Sequence, residues 1–228
     1  MELRQGYIAV KNENEVSYGG SQNWYEKGIL YNFGCGVVAL GDILLYLAKT
    51  GRHPLKTARK LGEMEKVDKE EYLSYLKDIG KSFGWMMPFT RGVPGPLLAV
   101  WFNLMSRIHK CPYRAAWAVP KAKIHKAICV MLEKDIPVLF SVGRNFPWIW
   151  KKDGVDLYRK LPTLTGAGKT YGHYMTITGM EQDEVYGELL QVSSWGKKYY
   201  IKWKDYEDFL NKKSCALFTN ILYMTERG

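Results

Sequence analysis

The clearest hydrophobic pattern in the chain is an apolar stripe that runs from Val37 to Leu47. Its members recur at three- and four-residue spacing, which is the period of a helix with one buried face. Thr50 and Gly51 follow, and they predict the end of this helix. Asp68 is expected to cap another helix. Similar spacing predicts helices over 55–61, 68–79, 97–108, 121–133 and 204–210.

Short apolar or alternating runs predict strands, most of them in the second half of the chain. Because helices come first and strands second, the pattern favours an α+β fold in which a helical half faces a sheet half. The length of 228 residues suits one domain with a sizeable core, and we expect a single domain over 1–228. The predicted strands are 6–10, 135–142, 171–179, 189–192, 198–203 and 216–224, with loops over 81–96 and 144–168.

Composition and charge narrow the function classes only slightly. The formal net charge is +10, but the basic residues are scattered and form no nucleic-acid-binding motif. We therefore expect no specific nucleic-acid partner, although a positive surface attracts anionic substrates. No apolar signal core and no membrane-spanning segment are visible. We expect a cytoplasmic protein, or a secreted one whose signal has been removed; the oligomeric state is left open.

The four cysteines give no reason to expect a metal or a disulfide framework. None of them forms a Cys-x-x-Cys pair, so a structural zinc site is not expected. Four cysteines in a chain of this length do not indicate a disulfide scaffold. We expect no cofactor. The cysteines are Cys35, Cys111, Cys129 and Cys215.

Cys35 stands between Gly34 and Gly36 where the central helix begins. The glycines let the backbone turn sharply, and the free amides and dipole of a helix N-terminus favour a thiolate. We therefore interpret Cys35 as a candidate nucleophile. The alternative is a buried cysteine that packs as a small hydrophobe.

His173 is the candidate base for this thiol. It follows Gly172 at the start of a predicted strand, and it lies 138 positions beyond Cys35 (173 − 35). Papain-type enzymes separate their cysteine and histidine by roughly 130–150 residues. A histidine beside the thiol takes its proton and later protonates the leaving group. The alternative is a structural histidine at a strand edge. We also interpret His53, His109 and His125 as structural, in a turn, a basic patch and a helix respectively.

The third informative segment is Ser193-Ser194-Trp195-Gly196, which lies between two predicted strands. It resembles the Asn-Ser-Trp-Gly segment of papain-like cysteine peptidases. The whole chain resembles more closely the bacteriocin-leader-processing peptidases (cysteine peptidase family thirty-nine) and their "like" group. The matching segments, in order, are Ser21-Gln22 with Trp24, Gly34-Cys35-Gly36 with Ala39-Leu40, Asp135-Ile136-Pro137-Val138, and Gly172-His173 with Thr178-Gly179.

The resemblance implies a papain-like fold and a role for each matched residue. Ser193 would take the Asp or Asn position and orient His173, with Gln191 as the alternative partner of the ring. Gln22 would join the Cys35 amide as an oxyanion donor. We expect substrate to contact Gly34 and the tryptophans Trp24, Trp148 and Trp195, although each tryptophan is equally compatible with the core.

Three departures from the family pattern bear on activity. Val37-Val38 replaces Pro-Thr, Asp135 replaces glycine, and Ser193 replaces the usual Asp or Asn. A hydroxyl accepts a hydrogen bond from imidazole but carries no charge that stabilises imidazolium. In a serine-protease triad, loss of the orienting carboxylate costs about 10⁴ in turnover, although papain-like enzymes use a neutral amide there. Ser193 therefore favours a reduced rate.

The expected function is hydrolysis of peptide or amide bonds through a Cys-His acyl-enzyme. One rival is a non-catalytic papain-fold module that binds peptide or cell-wall ligands. Another is a Cys-His acyltransferase. The segment Gly166-Ala167-Gly168-Lys169-Thr170 resembles the end of a phosphate-binding loop, but a strand rather than a helix is predicted to follow, so we interpret it as a loop.

Overall fold

The computed structural model describes residues 1–13, 15–52 and 55–227, and it combines helices with mainly antiparallel sheets. The predicted position of His53 lies outside the described residues. The helices are α1 (Ile29–Phe33), α2 (Cys35–Lys49), α3 (Lys56–Gly62), α4 (Lys69–Lys81), α5 (Met87–Thr90), α6 (Gly95–Ile108), α7 (Ile124–Glu133) and α8 (Trp203–Lys212). The strands are β1 (Ala9–Asn12), β2 (Glu15–Tyr18), β3 (Val67–Asp68), β4 (Tyr113–Ala116), β5 (Val138–Val142), β6 (Val155–Lys160), β7 (Leu164–Thr170), β8 (His173–Asp183), β9 (Gly187–Ser194), β10 (Lys197–Lys202) and β11 (Tyr223–Glu226).

The central helix α2 is confirmed and lies almost wholly in the core. Val37, Leu40 and Ile43 are each 0% exposed, which is why the apolar stripe is so regular. Gly34 precedes the helix because a Cβ at this position would collide with the carbonyl oxygen of Leu30. Gly51, with a φ of 74°, follows the helix in the left-handed conformation that glycine adopts most easily.

The main sheet has the strand order β5-β8-β9-β10-β6-β7, and every neighbouring pair is antiparallel. Helix α2 packs against β8 and β5. The helices α1 to α7 precede this sheet in the chain. The prediction of an α+β fold with helices first and the main sheet second is therefore confirmed. The start of β8 consequently lies close to the start of α2.

Two smaller sheets complete the fold. One has the order β2-β1-β3, with β1 parallel to β3, and the other pairs β11 with β4. The buried apolar residues form one cluster that includes side chains from α2, α4, α7, β5, β8 and β9. Among the described residues, no helix has the length and hydropathy needed to cross a bilayer.

Several elements were not predicted, because their hydrophobic patterns are short or absent. The predicted loop over 144–168 contains the hairpin of β6 and β7, and β7 is mostly exposed and glycine-rich. Gly166-Ala167-Gly168-Lys169-Thr170 therefore forms part of a strand rather than a loop. Asp68 is the N-cap of α4, but its side chain makes no capping hydrogen bond.

The predicted closing strand over 216–224 is also wrong in extent, since β11 begins only at Tyr223. The buried Asn220 explains the irregular backbone before it. Its side chain bonds to the N–H and the carbonyl of Val119 and to the carbonyl of Ala216. A strand pairing through these positions would lose those contacts.

Candidate active site

Five residues singled out by the sequence line one small cavity between α2 and the main sheet. Cys35 reaches it as the first residue of α2, and His173 reaches it as the first residue of β8. The cavity has a volume of about 20 Å³, which is room for about one water molecule. The five residues are Gln22, Cys35, His173, Ser193 and Trp195.

His173 is held on two sides by consecutive residues at the end of β9. Its Nε2 atom lies 2.8 Å from Oγ of Ser194, and its ring stacks on the indole of Trp195 with centroids 4.3 Å apart and an interplanar angle of 9°. The ring therefore has one nitrogen engaged and one face covered, which fixes its orientation.

The backbone that presents Trp195 is a tight two-residue turn between β9 and β10. Trp195 and Gly196 have φ values of 49° and 72°, which is the pattern of a type I′ hairpin. A tryptophan in the left-handed region is uncommon and marks a strained position. A hydrogen bond to a distant segment stabilises the turn, since the N–H of Gly196 donates to the carbonyl of Gly20 at 2.9 Å.

The expectation that Ser193 orients His173 is wrong, because the ring bonds to Ser194 instead. The hydroxyl of Ser193 donates to the carbonyl of Tyr18 at 2.8 Å. Successive side chains of a strand point to opposite faces, so the two serines cannot serve the same ring. Gln191 is not the partner either, since its side chain bonds to Glu181 and Lys198.

Gln22 lines the cavity, but its amide is directed elsewhere. Nε2 donates to the carbonyl of Tyr31 at 2.8 Å, while the buried Oε1 has no hydrogen-bond partner among the residues that the structure describes. An amide nitrogen carries two protons, so one remains after the bond to Tyr31. An oxyanion role for Gln22 therefore depends on this second proton.

Burial keeps both members of the Cys-His pair neutral in this structure. Burial raises the pKa of the Cys35 thiol, and the backbone N–H groups of Tyr174, Gly36 and Cys35 lower it by less. Burial also lowers the pKa of His173 to about 3. The predicted stabilisation of a thiolate by the helix N-terminus is thus present but is outweighed by desolvation.

The other residues predicted to contact substrate are Trp24, Gly34 and Trp148, and the structure places them differently. Trp24 lies edge-on to Tyr72 at 5.8 Å and, with Trp195, lines an adjacent cavity of about 520 Å³. Gly34 is buried and does not line the cavity at Cys35. Trp148 is 54% exposed on the segment before β6 and does not line that cavity, so its contact with substrate stays a prediction.

Sequence reasoning missed a buried carboxylate, that of Asp42, which also lines the cavity. Asp42 lies two turns after Cys35 on α2 and is 2% exposed. It accepts hydrogen bonds from the hydroxyls of Tyr72 at 2.6 Å and Tyr7 at 3.1 Å, and from the N–H of Gly20 at 3.1 Å. Burial raises its pKa to about 6. An aspartate inside an apolar helix was the available signal, but its partners are distant in sequence.

A larger cavity of about 430 Å³ lies beside the first and shares His173 and Tyr174 with it. Arg144 also lines it, and one guanidinium nitrogen donates to the carbonyl of Thr90 at 3.2 Å. Its size suits several residues of an extended chain or a drug-sized ligand. The apolar side chains in its wall are Phe89, Val93, Pro94, Pro96, Leu217 and Phe218.

Comparison with protein-family models, with curated proteins and with solved structures finds no match to this chain. Within the described part of the chain, no group of three or more His, Cys, Asp or Glu side chains has the arrangement of a metal site. Function is therefore inferred from the cavity and the chemistry of its residues.

Proposed function

We propose that this protein is a thiol-dependent hydrolase of peptide or amide bonds, with Cys35 as nucleophile and His173 as general base and acid. One observation carries the proposal: these two residues, 138 positions apart (173 − 35), line the same cavity. The imidazole is oriented by Ser194 and Trp195, as a catalytic base requires.

A papain-like arrangement is part of the same proposal. The nucleophile begins a long buried helix, the histidine begins a strand of an antiparallel sheet, and a Trp-Gly turn of that sheet covers the imidazole. The order of these features along the chain is the order of the family that the sequence resembles. The hydroxyl of Ser194 takes the place of an Asp or Asn side chain.

The proposed reaction follows from the neutral state of the pair. In the tautomer that we propose, Nε2–H donates to Ser194 Oγ and Nδ1 takes the Cys35 proton as sulfur attacks the acyl carbon. The developing oxyanion is stabilised by the Cys35 backbone N–H and the second amide proton of Gln22. His173 returns the proton to the leaving amine, a thioester remains, and water attacks it to release the acid and restore the thiol.

The larger cavity supplies a place for the rest of the substrate. Its walls are mostly apolar, and it reaches the reacting pair through His173 and Tyr174. A peptide chain lying there would contact His173, which also lines the cavity that contains Cys35. This favours a peptide with apolar side chains near the cleaved bond.

The test is hydrolysis of a fluorogenic peptide library by the wild type and by Cys35→Ala, His173→Ala and Cys129→Ala. We expect the first two variants to lose turnover, while Cys129→Ala retains it, since Cys129 lies on α7 outside the cavity. Hydrolysis that survives in Cys35→Ala would overturn the proposal.

One set of contacts favours a second candidate function, that of a non-catalytic module that binds peptide. The Gln22 amide is bonded to Tyr31, and His173 has a hydroxyl rather than a carboxylate or amide as its partner. Ser194→Asn separates the two candidates. Turnover that appears only in this variant supports the binding module, whereas turnover already present in the wild type supports the hydrolase.

A further inference from the structure

The segment between β5 and β6 forms a closed loop whose base is fixed by one buried side chain. Asn145 is 2% exposed. Its Nδ2 donates to the carbonyl of Lys213 at 3.1 Å, and its Oδ1 accepts from the N–H of Asp153 at 3.0 Å. The N–H of Phe146 donates to the same Lys213 carbonyl at 2.9 Å. The loop is therefore tied both to itself and to the end of α8.

The tip of this loop, residues 146–150, presents large apolar side chains to solvent. Phe146, Trp148, Ile149 and Trp150 are 51%, 54%, 57% and 68% exposed. The two indoles pack edge to face with centroids 5.2 Å apart. So many apolar side chains in one short exposed segment indicate an interaction surface rather than a chance exposure.

Positive charge surrounds this tip. Lys151 and Lys152 follow it directly and are exposed, and Lys213 lies at its base. Among the described residues, none of these three lysines forms an ion pair, whereas the neighbouring Lys212 pairs with Asp208 at 2.9 Å. Asp153, which closes the loop, is the one acidic residue of the segment 145–153.

We propose that this loop anchors the protein on the surface of a membrane that contains anionic lipid. Tryptophan favours the interface between headgroups and acyl chains, where its ring is buried and its N–H stays hydrated. Adjacent lysines add attraction to anionic headgroups. A second copy of the chain is a poor occupant, because it brings the same cationic surface and a net charge of +10.

The anchor also has a defined position relative to the cavities. Gly143 and Arg144 come directly before the loop, and both line the cavity that contains His173. A protein held by this loop therefore has that cavity close to the lipid surface. Membrane binding itself does not depend on the proposed hydrolase activity.

Vesicle sedimentation with the full chain tests the anchor. The probes are vesicles of phosphatidylcholine alone and of a three-to-one mixture of phosphatidylcholine and phosphatidylglycerol. We expect binding to the mixed vesicles and little binding to the neutral ones. The double variant Trp148→Ser/Trp150→Ser is expected to bind the mixed vesicles at least about tenfold more weakly.

Two matched controls separate the loop from the rest of the surface. Trp85→Ser/Ile108→Ser removes two large apolar side chains that are 72% and 60% exposed elsewhere, and it should retain binding. Lys151→Gln/Lys152→Gln should weaken binding by about tenfold or more. Lys56→Gln/Lys77→Gln, which removes the same charge from exposed sites on α3 and α4, should weaken it much less.

The proposal is overturned if the wild type binds both kinds of vesicle equally or neither. It is also overturned if the control pairs weaken binding as much as the loop pairs do, since binding would then reflect general charge or hydrophobicity. Sedimentation velocity without lipid adds a further outcome. A dimer that dissociates in Trp148→Ser/Trp150→Ser would assign the loop to self-association instead.

Discussion

The imidazole of His173 lies flat on the indole of Trp195, with 4.3 Å between ring centroids. The indole excludes water from one face of the imidazole, and this contributes to the burial that lowers the histidine pKa to about 3. Both the orientation and the pKa of His173, the proposed base, therefore depend on Trp195. That dependence gives the first prediction.

Trp195→Ala should raise the pKa of His173 from about 3 toward its ordinary value of 6.5, because the ring becomes hydrated. It should also lower kcat by about a hundredfold, since the ring loses its fixed orientation. NMR titration of the histidine ring protons measures the first effect. The matched control is Trp203→Ala, which contacts His125 rather than His173; an equal pKa change there would contradict the prediction.

Ser194→Ala should lower kcat by about tenfold, because it removes one neutral hydrogen bond from the imidazole. Ser193→Ala should leave kcat nearly unchanged, since its hydroxyl bonds to the carbonyl of Tyr18. Steady-state hydrolysis of one peptide by the two variants provides the comparison. A larger loss in Ser193→Ala would show that Ser194 is not the functional partner of the ring.

Asp42→Asn should destabilise the fold by about 2–3 kcal/mol. Three donors converge on this carboxylate, and an amide cannot accept from all of them. Urea unfolding measures the change at pH 7. Asp68→Asn serves as the control, because Asp68 is exposed and its side chain makes no capping bond, and its unfolding midpoint should stay within error.

Asp42 and His173 should give opposite pH dependences of stability. The folded pKa of Asp42 is raised from 3.8 to about 6, so its contribution is fully present below pH 3.8 and is lost as pH rises through 6. The folded pKa of His173 is lowered from 6.5 to about 3, so its contribution is present above pH 6.5 and is lost as pH falls toward 3.

The variants Asp42→Asn and His173→Gln separate these two contributions. From pH 7 to pH 4, the stability of His173→Gln should fall less than that of the wild type, or should rise. The stability of Asp42→Asn should fall more steeply than that of the wild type. Urea unfolding at half-unit pH intervals provides the curves, and parallel curves for all three proteins would contradict both assignments.

The sequence was sufficient where local pattern decides the structure. The apolar stripe of α2 and the glycines around Cys35 predicted the helix and the position of the thiol at its start. The pairing of Cys35 with His173 came from spacing and resemblance, and both residues line one cavity. The sequence was informative for both residues because α2 and β8, which carry them, both contribute apolar side chains to the core.

Other parts depend on contacts that no local pattern encodes. Successive residues of a strand face opposite sides of the sheet, so the pairing of β9 with β8 determines whether Ser193 or Ser194 faces the imidazole. The register of this pair shifts near Gly179. Asp42 is satisfied by Tyr7, Gly20 and Tyr72, which come from three separate segments. The direction in which the pKa of Cys35 shifts depends on how deeply the thiol is buried, because desolvation raises the pKa whereas the helix dipole lowers it.

The link from Asp42 through Gly20 to Gly196 constrains how the molecule could open. The carboxylate belongs to the helix that carries Cys35, while Gly196 belongs to the turn that carries Trp195, and Gly20 bonds to both. Separating the two sides here would remove the Gly20 N–H from a buried carboxylate that accepts a hydrogen bond from it. An opening that admits a bulky substrate is therefore expected to leave this link intact and to occur at the larger cavity, which Pro94 and Leu217 line.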